Sequence, residues 1–132
     1  MPLTAKSLLS MDGAPEGILR FADSWIADKD CDERSDDVSE FEYSTLPAGS
    51  SDEWLQAIVV IAKKTEDGRH DALLAAGMLE DFLGQHGEEY FDTVAELARR
   101  WPRFRHLLGG VWKGRMKKGL WHRIEAIREQ PW

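Results

Sequence analysis

Only one cysteine, Cys31, occurs in 132 residues. It has no second thiol to pair with, so an internal disulfide is excluded and a disulfide-stapled scaffold with it. Long hydrophobic runs are missing too. No segment approaches the roughly 20 apolar residues that span a bilayer, and the opening stretch MPLTAKSLLSMDG carries one lysine and no apolar block of signal-peptide length. Prolines are few and fall at 2, 15, 47, 102 and 131, where boundaries are expected on other grounds, so long helices can run between them. The catalytic signatures G-x-S-x-G, the phosphate loop, the Rossmann fingerprint and H-E-x-x-H are all absent from the sequence. These absences lead us to expect a cytoplasmic protein of bacterial type in a reducing compartment, with no membrane contact and no cofactor.

What is present is apolar bulk and a lopsided charge. Hydrophobic residues make up 42% of the chain and six are tryptophan, enough to build one core over residues 1–132 without metal or disulfide. The net charge is −7, but residues 1–55 hold 13 acidic against 4 basic side chains, residues 56–98 hold 9 against 3, and residues 99–132 hold 2 against 10. Such asymmetry either marks a face for a charged partner or is neutralised when the two ends pack together.

The periodicity predicts helices. In APEGILRFADSWIADK, Pro15 suits a first turn, and Ile18, Phe21, Ala22, Trp25 and Ile26 form one stripe over about 15–29. Residues 28–50 are polar and strongly acidic, and read as a long connection ending near Pro47 and Gly49. Ser50-x-x-Glu53 has capping-box spacing before WLQAIVVIAKK, a segment apolar on nearly every side and therefore the expected central helix. The β-branched run Ile58 to Ile61 keeps a buried strand as the alternative there. A third helix is expected from about Arg69, with Ala72, Ala75, Ala76, Leu79, Phe82, Leu83 and His86 within about 60° of Leu79 on one face. Gly84 and Gly87 are placed to end it. Further helices follow in EEYFDTVAELARRW, PRFRHLL and KGLWHRIEAIREQ. The expected fold is an all-α, single-domain bundle of about five to seven helices with one long acidic connection.

The stretch from Trp54 to Trp112 resembles a family of small bacterial proteins with a helical domain of unknown function. The likeness is carried by Gly77, Leu79, Glu80, Asp81, Phe82 and Leu83, then His86-Gly87, then Pro102, Phe104, Leu107, Leu108, Val111 and Trp112. It implies a small helical domain and no particular chemistry.

Several constellations are candidates for chemistry. Asp28, Asp30, Asp32 and Asp36 imitate a calcium loop, but Glu33 stands where the turn needs glycine and Ser39 where a bidentate glutamate belongs. His70, Glu80, Asp81 and His86 are metal-ligand types without metal-ligand spacing, so no metal site is expected. His86 on the apolar stripe reads as a core histidine, although a small enzyme using Glu80 and His86 is an alternative. Cys31 lies among carboxylates, a setting that disfavours thiolate. In RRWPRFRHLLGGVWKGRMKKGLWHR cations alternate with aromatics, the alphabet of nucleic-acid binding. Trp101, Phe104 and Trp121 fall on apolar faces, which leaves Arg103, Arg105, Arg115, Lys117 and Lys118 as an exposed basic edge.

The sequence leads to a non-enzymatic protein-binding domain, an immunity- or antitoxin-type inhibitor meeting the basic surface of a toxin or effector. The expected contact residues are Asp30, Asp32, Asp36, Asp37, Glu40, Phe41, Glu42 and Tyr43, with Phe41 and Tyr43 as anchors among the carboxylates. A nucleic-acid-binding module using the basic C-terminal edge is the rival.

Overall fold

The computed structural model describes residues 4–9, 16–30 and 51–128. Among them every regular element is helical. Helix α1 spans Ala5–Leu9, α2 Glu16–Asp30, α3 Ser51–Lys64 and α4 Asp71–Leu74. A π turn over Ala75–Leu79 leads without a break into α5, Glu80–Arg100, and α6 (Pro102–Leu108) and α7 (Lys118–Ile127) complete the set. The all-α expectation holds, and Ile58 to Ile61 are helical in spite of their β-branching.

Helix α3 is the axis of the bundle. Its eight buried residues, Trp54, Leu55 and Ala57 through Ala62, go round the helix because α1, α2, α4 and α5 all pack on it. A helix contacted from several sides buries an unbroken apolar run, and its polar residues gather at its two ends and at Gln56. Helix α2 contributes Ile18, Phe21, Ala22 and Trp25, the predicted stripe, and Lys64 pairs with Asp23 across the contact at 2.6 Å.

Helix α1 was not anticipated. Five residues are too few for a periodic signal, yet Ser7 N–H donates to Thr4 Oγ1 at 3.1 Å in a short capping arrangement. Its open C-terminal carbonyls, those of Leu8 and Leu9, accept from Lys63 Nζ at 3.1 and 2.9 Å. Burial of Leu8 and Ala5 completes the attachment.

Two expectations for the third helix are corrected. Gly84 and Gly87 do not end it, for α5 runs through both to Arg100. Gly87 is instead a point of close approach, where a built Cβ would lie 2.8 Å from Leu120 Cδ2 of α7. The expected stripe is also shifted, since Ala72 and Ala76 are exposed while Leu74 and Met78 are buried. The π turn is the reason. Its i→i+5 bonding advances less than 100° per residue, so everything before Leu79 is rotated relative to an unbroken α-helix. Beyond it, Phe82, Leu83, Tyr90, Val94, Leu97 and Ala98 face the core as one surface.

Trp101 is extended (φ −131°, ψ 100°), and Pro102 then starts α6, which buries Phe104, Leu107 and Leu108. The buried apolar residues of all these helices form one continuous core.

Candidate functional site

Three polar arrangements stand out on this frame. The first lies where α3 begins, directly after the acidic stretch. Tyr90 of α5 reaches across to the α3 N-terminus, its hydroxyl 2.8 Å from Ser51 Oγ and donating to the Asp52 carboxylate. Its ring belongs to an aromatic cluster with Phe82 at 5.2 Å and His86 at 6.4 Å, and Trp54 closes the group 5.9 Å from His86. Burial, and then the bond to Asp52, holds the Tyr90 phenol above its ordinary pKa. The folded state therefore keeps this proton more tightly than the unfolded chain does. The resulting stability is fully present below about pH 10 and is lost as pH rises through the folded value. Tyr90→Phe should remove that alkaline loss, at a cost of about 1 kcal/mol near neutrality for the missing hydrogen bonds. Urea denaturation of both proteins from roughly pH 8 to 11 checks this; parallel curves over that range would contradict it.

The second arrangement fixes the turn after α6. Val111 and Met116 are both buried, and between them Trp112 N–H donates to Glu80 Oε1 at 2.9 Å. Gly114 takes φ +50° against the same carboxylate, a left-handed conformation that glycine adopts without strain. Between α5 and residues 115–120 runs a groove of about 440 Å³, with His86, Glu88 and Glu89 on one wall and Arg115, Met116 and Lys117 on the other.

The third is an ion pair at the α3–α4 corner. Arg103 Nη1 lies 2.7 Å from Asp71 Oδ1, with side-chain exposures of only 12% and 11%. The same guanidinium donates to Ala62 O at 3.2 Å, in the last turn of α3, and to Thr65 O at 2.6 Å, which also accepts Gly68 N–H at 3.0 Å. His106 Nε2 stands 3.4 Å from the other Asp71 oxygen, and buried His70 packs edge-on to Trp25 at 6.0 Å. Arg103 is thus a buried clamp, which corrects its expected place on an exposed basic edge. Arg105 is half-buried, whereas Arg115, Lys117 and Lys118 are exposed as anticipated.

The proposed enzyme pair is not assembled. Glu80 and His86 are six residues, or about 9 Å, apart along α5 and project from different faces. Glu80 binds the Trp112 backbone, while His86 sits among aromatic rings. No group of three or more metal-ligand side chains comes together among the described residues. Of the expected protein-binding residues, Asp30 closes α2, its side chain outside the described set; Asp32, Asp36, Asp37, Glu40, Phe41, Glu42 and Tyr43 lie outside the described residues altogether, as do Cys31 and Ser50. No described helix is long and apolar enough to cross a membrane.

Together these features define a small all-α domain wrapped around a central helix, with a buried arginine clamp and a pinned basic turn. The chain belongs to the family of unknown function DUF6869, whose model matches residues 28–132. That match reaches beyond the Trp54–Trp112 likeness, taking in the acidic stretch at one end and α7 at the other. Neither a curated protein nor a solved structure matches the chain.

Proposed function

We propose that this domain acts by binding another protein, as an immunity- or antitoxin-type inhibitor in the bacterial cytoplasm, and that its acidic stretch meets a basic surface on a toxin or phage-related effector. The observation that carries the reading is the use made of the cations in the last third of the chain. Arg99 and Arg100 bond Glu96, which holds that carboxyl below its usual range; Arg103 forms an ion pair with Asp71, and Arg128 lies 3.6 Å from Glu125. Each of these acids lies outside residues 28–50. Lys113, Arg115, Lys117 and Lys118 face solvent without an ion pair among the described residues. In this reading the eight carboxylates between Asp28 and Glu42 are the ones that meet the partner, supported by the described ion pairs of Arg99, Arg100, Arg103 and Arg128, which engage other acids. An acidic surface of that density accelerates encounter with a basic target and competes with a polyanion the target handles.

The partner is obtained by affinity purification from the native host with mass spectrometry. Replacing Asp36, Asp37, Glu40 and Glu42 by their amides should then slow association about tenfold or more at low salt and flatten the salt dependence of the rate. An unchanged association rate would remove the proposal.

A further inference from the structure

Trp112 is 73% exposed, far more than any other large apolar side chain among the described residues. A tryptophan offers roughly 150–250 Å² for burial, so a freely adjusting turn would fold it inward. This turn is held against doing so. Val111 and Met116 anchor its two ends in the core, Glu80 takes the Trp112 amide, and Met116 N–H closes the turn on Lys113 O at 2.9 Å. The indole is thus displayed by a pre-organised backbone. Within the next six residues Lys113, Arg115, Lys117 and Lys118 are all exposed, with no ion pair among the described residues.

An open aromatic face beside closely spaced cations suits a ligand that has flat rings and a flexible anionic backbone. We propose that the Trp112 turn binds single-stranded nucleic acid, with a base stacked on Trp112 and the neighbouring phosphates neutralised by Lys113, Arg115, Lys117 and Lys118. Duplex is a poor fit, because its bases are stacked on one another and a short turn presents no helix or ribbon to a groove. The carboxylates across the groove, Glu88 and Glu89, repel phosphate and keep the contact short. This site shares no residue with the acidic stretch, so its fate and that of the inhibitor reading are separate.

The experiment is fluorescence anisotropy of the full chain with labelled oligo-dT and oligo-U of about a dozen nucleotides, and with duplex DNA of equal length. Single strands should bind, and neutralising about three phosphates should weaken them roughly twentyfold between about 50 and 200 mM salt. Trp112→Ala, a change at an exposed position, should lower affinity about five- to a hundredfold, while Trp112→Phe retains most of it. Lys113→Gln with Arg115→Gln should flatten the salt slope. No single-strand binding, equal binding by Trp112→Ala, or duplex bound as tightly would each overturn the proposal. So would attachment to phosphatidylserine vesicles, or a Trp112-dependent protein complex, without oligonucleotide binding.

Discussion

Arg103→Ala should lower the folding stability of this domain by about 3–5 kcal/mol, the cost typical of removing one member of a buried ion pair. Against a total of roughly 5–15 kcal/mol for a domain, that is a large share. The loss has two sources. Asp71, 8% exposed, would keep its carboxylate with His106 at 3.4 Å as the remaining cationic neighbour among the described residues, and the carbonyls of Ala62 and Thr65 would lose the guanidinium, Thr65 O keeping Gly68 N–H. Arg103→Lys should recover little, because one ammonium cannot serve the carboxylate and both carbonyls from a single position as the planar fork does. Adding Asp71→Asn to Arg103→Ala should restore part of the deficit by removing the stranded charge, so the pair of changes should cost less than the sum of the singles. Urea denaturation of the four proteins measures this cycle. A cost below about 1 kcal/mol for Arg103→Ala would place the pair in the class of weak surface bridges and refute the clamp.

The clamp also illustrates what the sequence conceals. On α6 alone Arg103 lies between exposed Pro102 and buried Phe104, and nothing local separates it from Arg115 or Lys117. Its burial follows from the Asp71 carboxylate and from carbonyls some forty residues away at and just beyond the end of α3. That need is non-local and leaves no periodic trace. The two glycines of α5 misled for a related reason. Glycine is a poor helix former and a good terminator, so its local meaning is a stop. Gly87 sits inside the helix as a residue without a Cβ because Leu120 lies where a side chain would go, a contact that exists only once α7 is docked.

The long elements were legible because burial imposed a period. In α2 the stripe Ile18, Phe21, Ala22 and Trp25 is buried and Ile26 partly so, and the apolar run of α3 lies at the centre as its pattern predicts. The phase error at Ala72 and Ala76 traces to the π turn, whose bonding pattern has no residue signature in AAGML beyond a glycine. For the candidate sites, side-chain type alone suggested Glu80 with His86. Helical geometry was already sufficient to part them, and the structure gives each a different task. The exposure of Trp112 was only half legible. Its neighbours announced a basic segment, but the hydrogen bond from its backbone to Glu80, thirty-two residues earlier, is what fixes the indole outward.

The same distant contacts make Phe82 a position where a single truncation should do large harm to the core. It is fully buried at the middle of the aromatic cluster, with ring centroids 5.8 Å from Trp54, 5.8 Å from His86 and 5.2 Å from Tyr90. Phe82→Ala removes the ring and leaves a cavity between α3 and α5 that the surrounding helices can only partly close, a change costing about 3–5 kcal/mol. For a chain of this size that corresponds to a fall of roughly 10–20 °C in Tm. Phe82→Leu keeps much of the volume and loses the edge-to-face pairs, so it should fall between wild type and alanine. Because Trp54 and Tyr90 flank the ring, near-ultraviolet circular dichroism should lose intensity in the alanine variant while the far-ultraviolet helix signal persists below its Tm. A calorimetric Tm within a few degrees of wild type would mean that the cluster closes without Phe82, and that the packing between α3 and α5 rests on other residues.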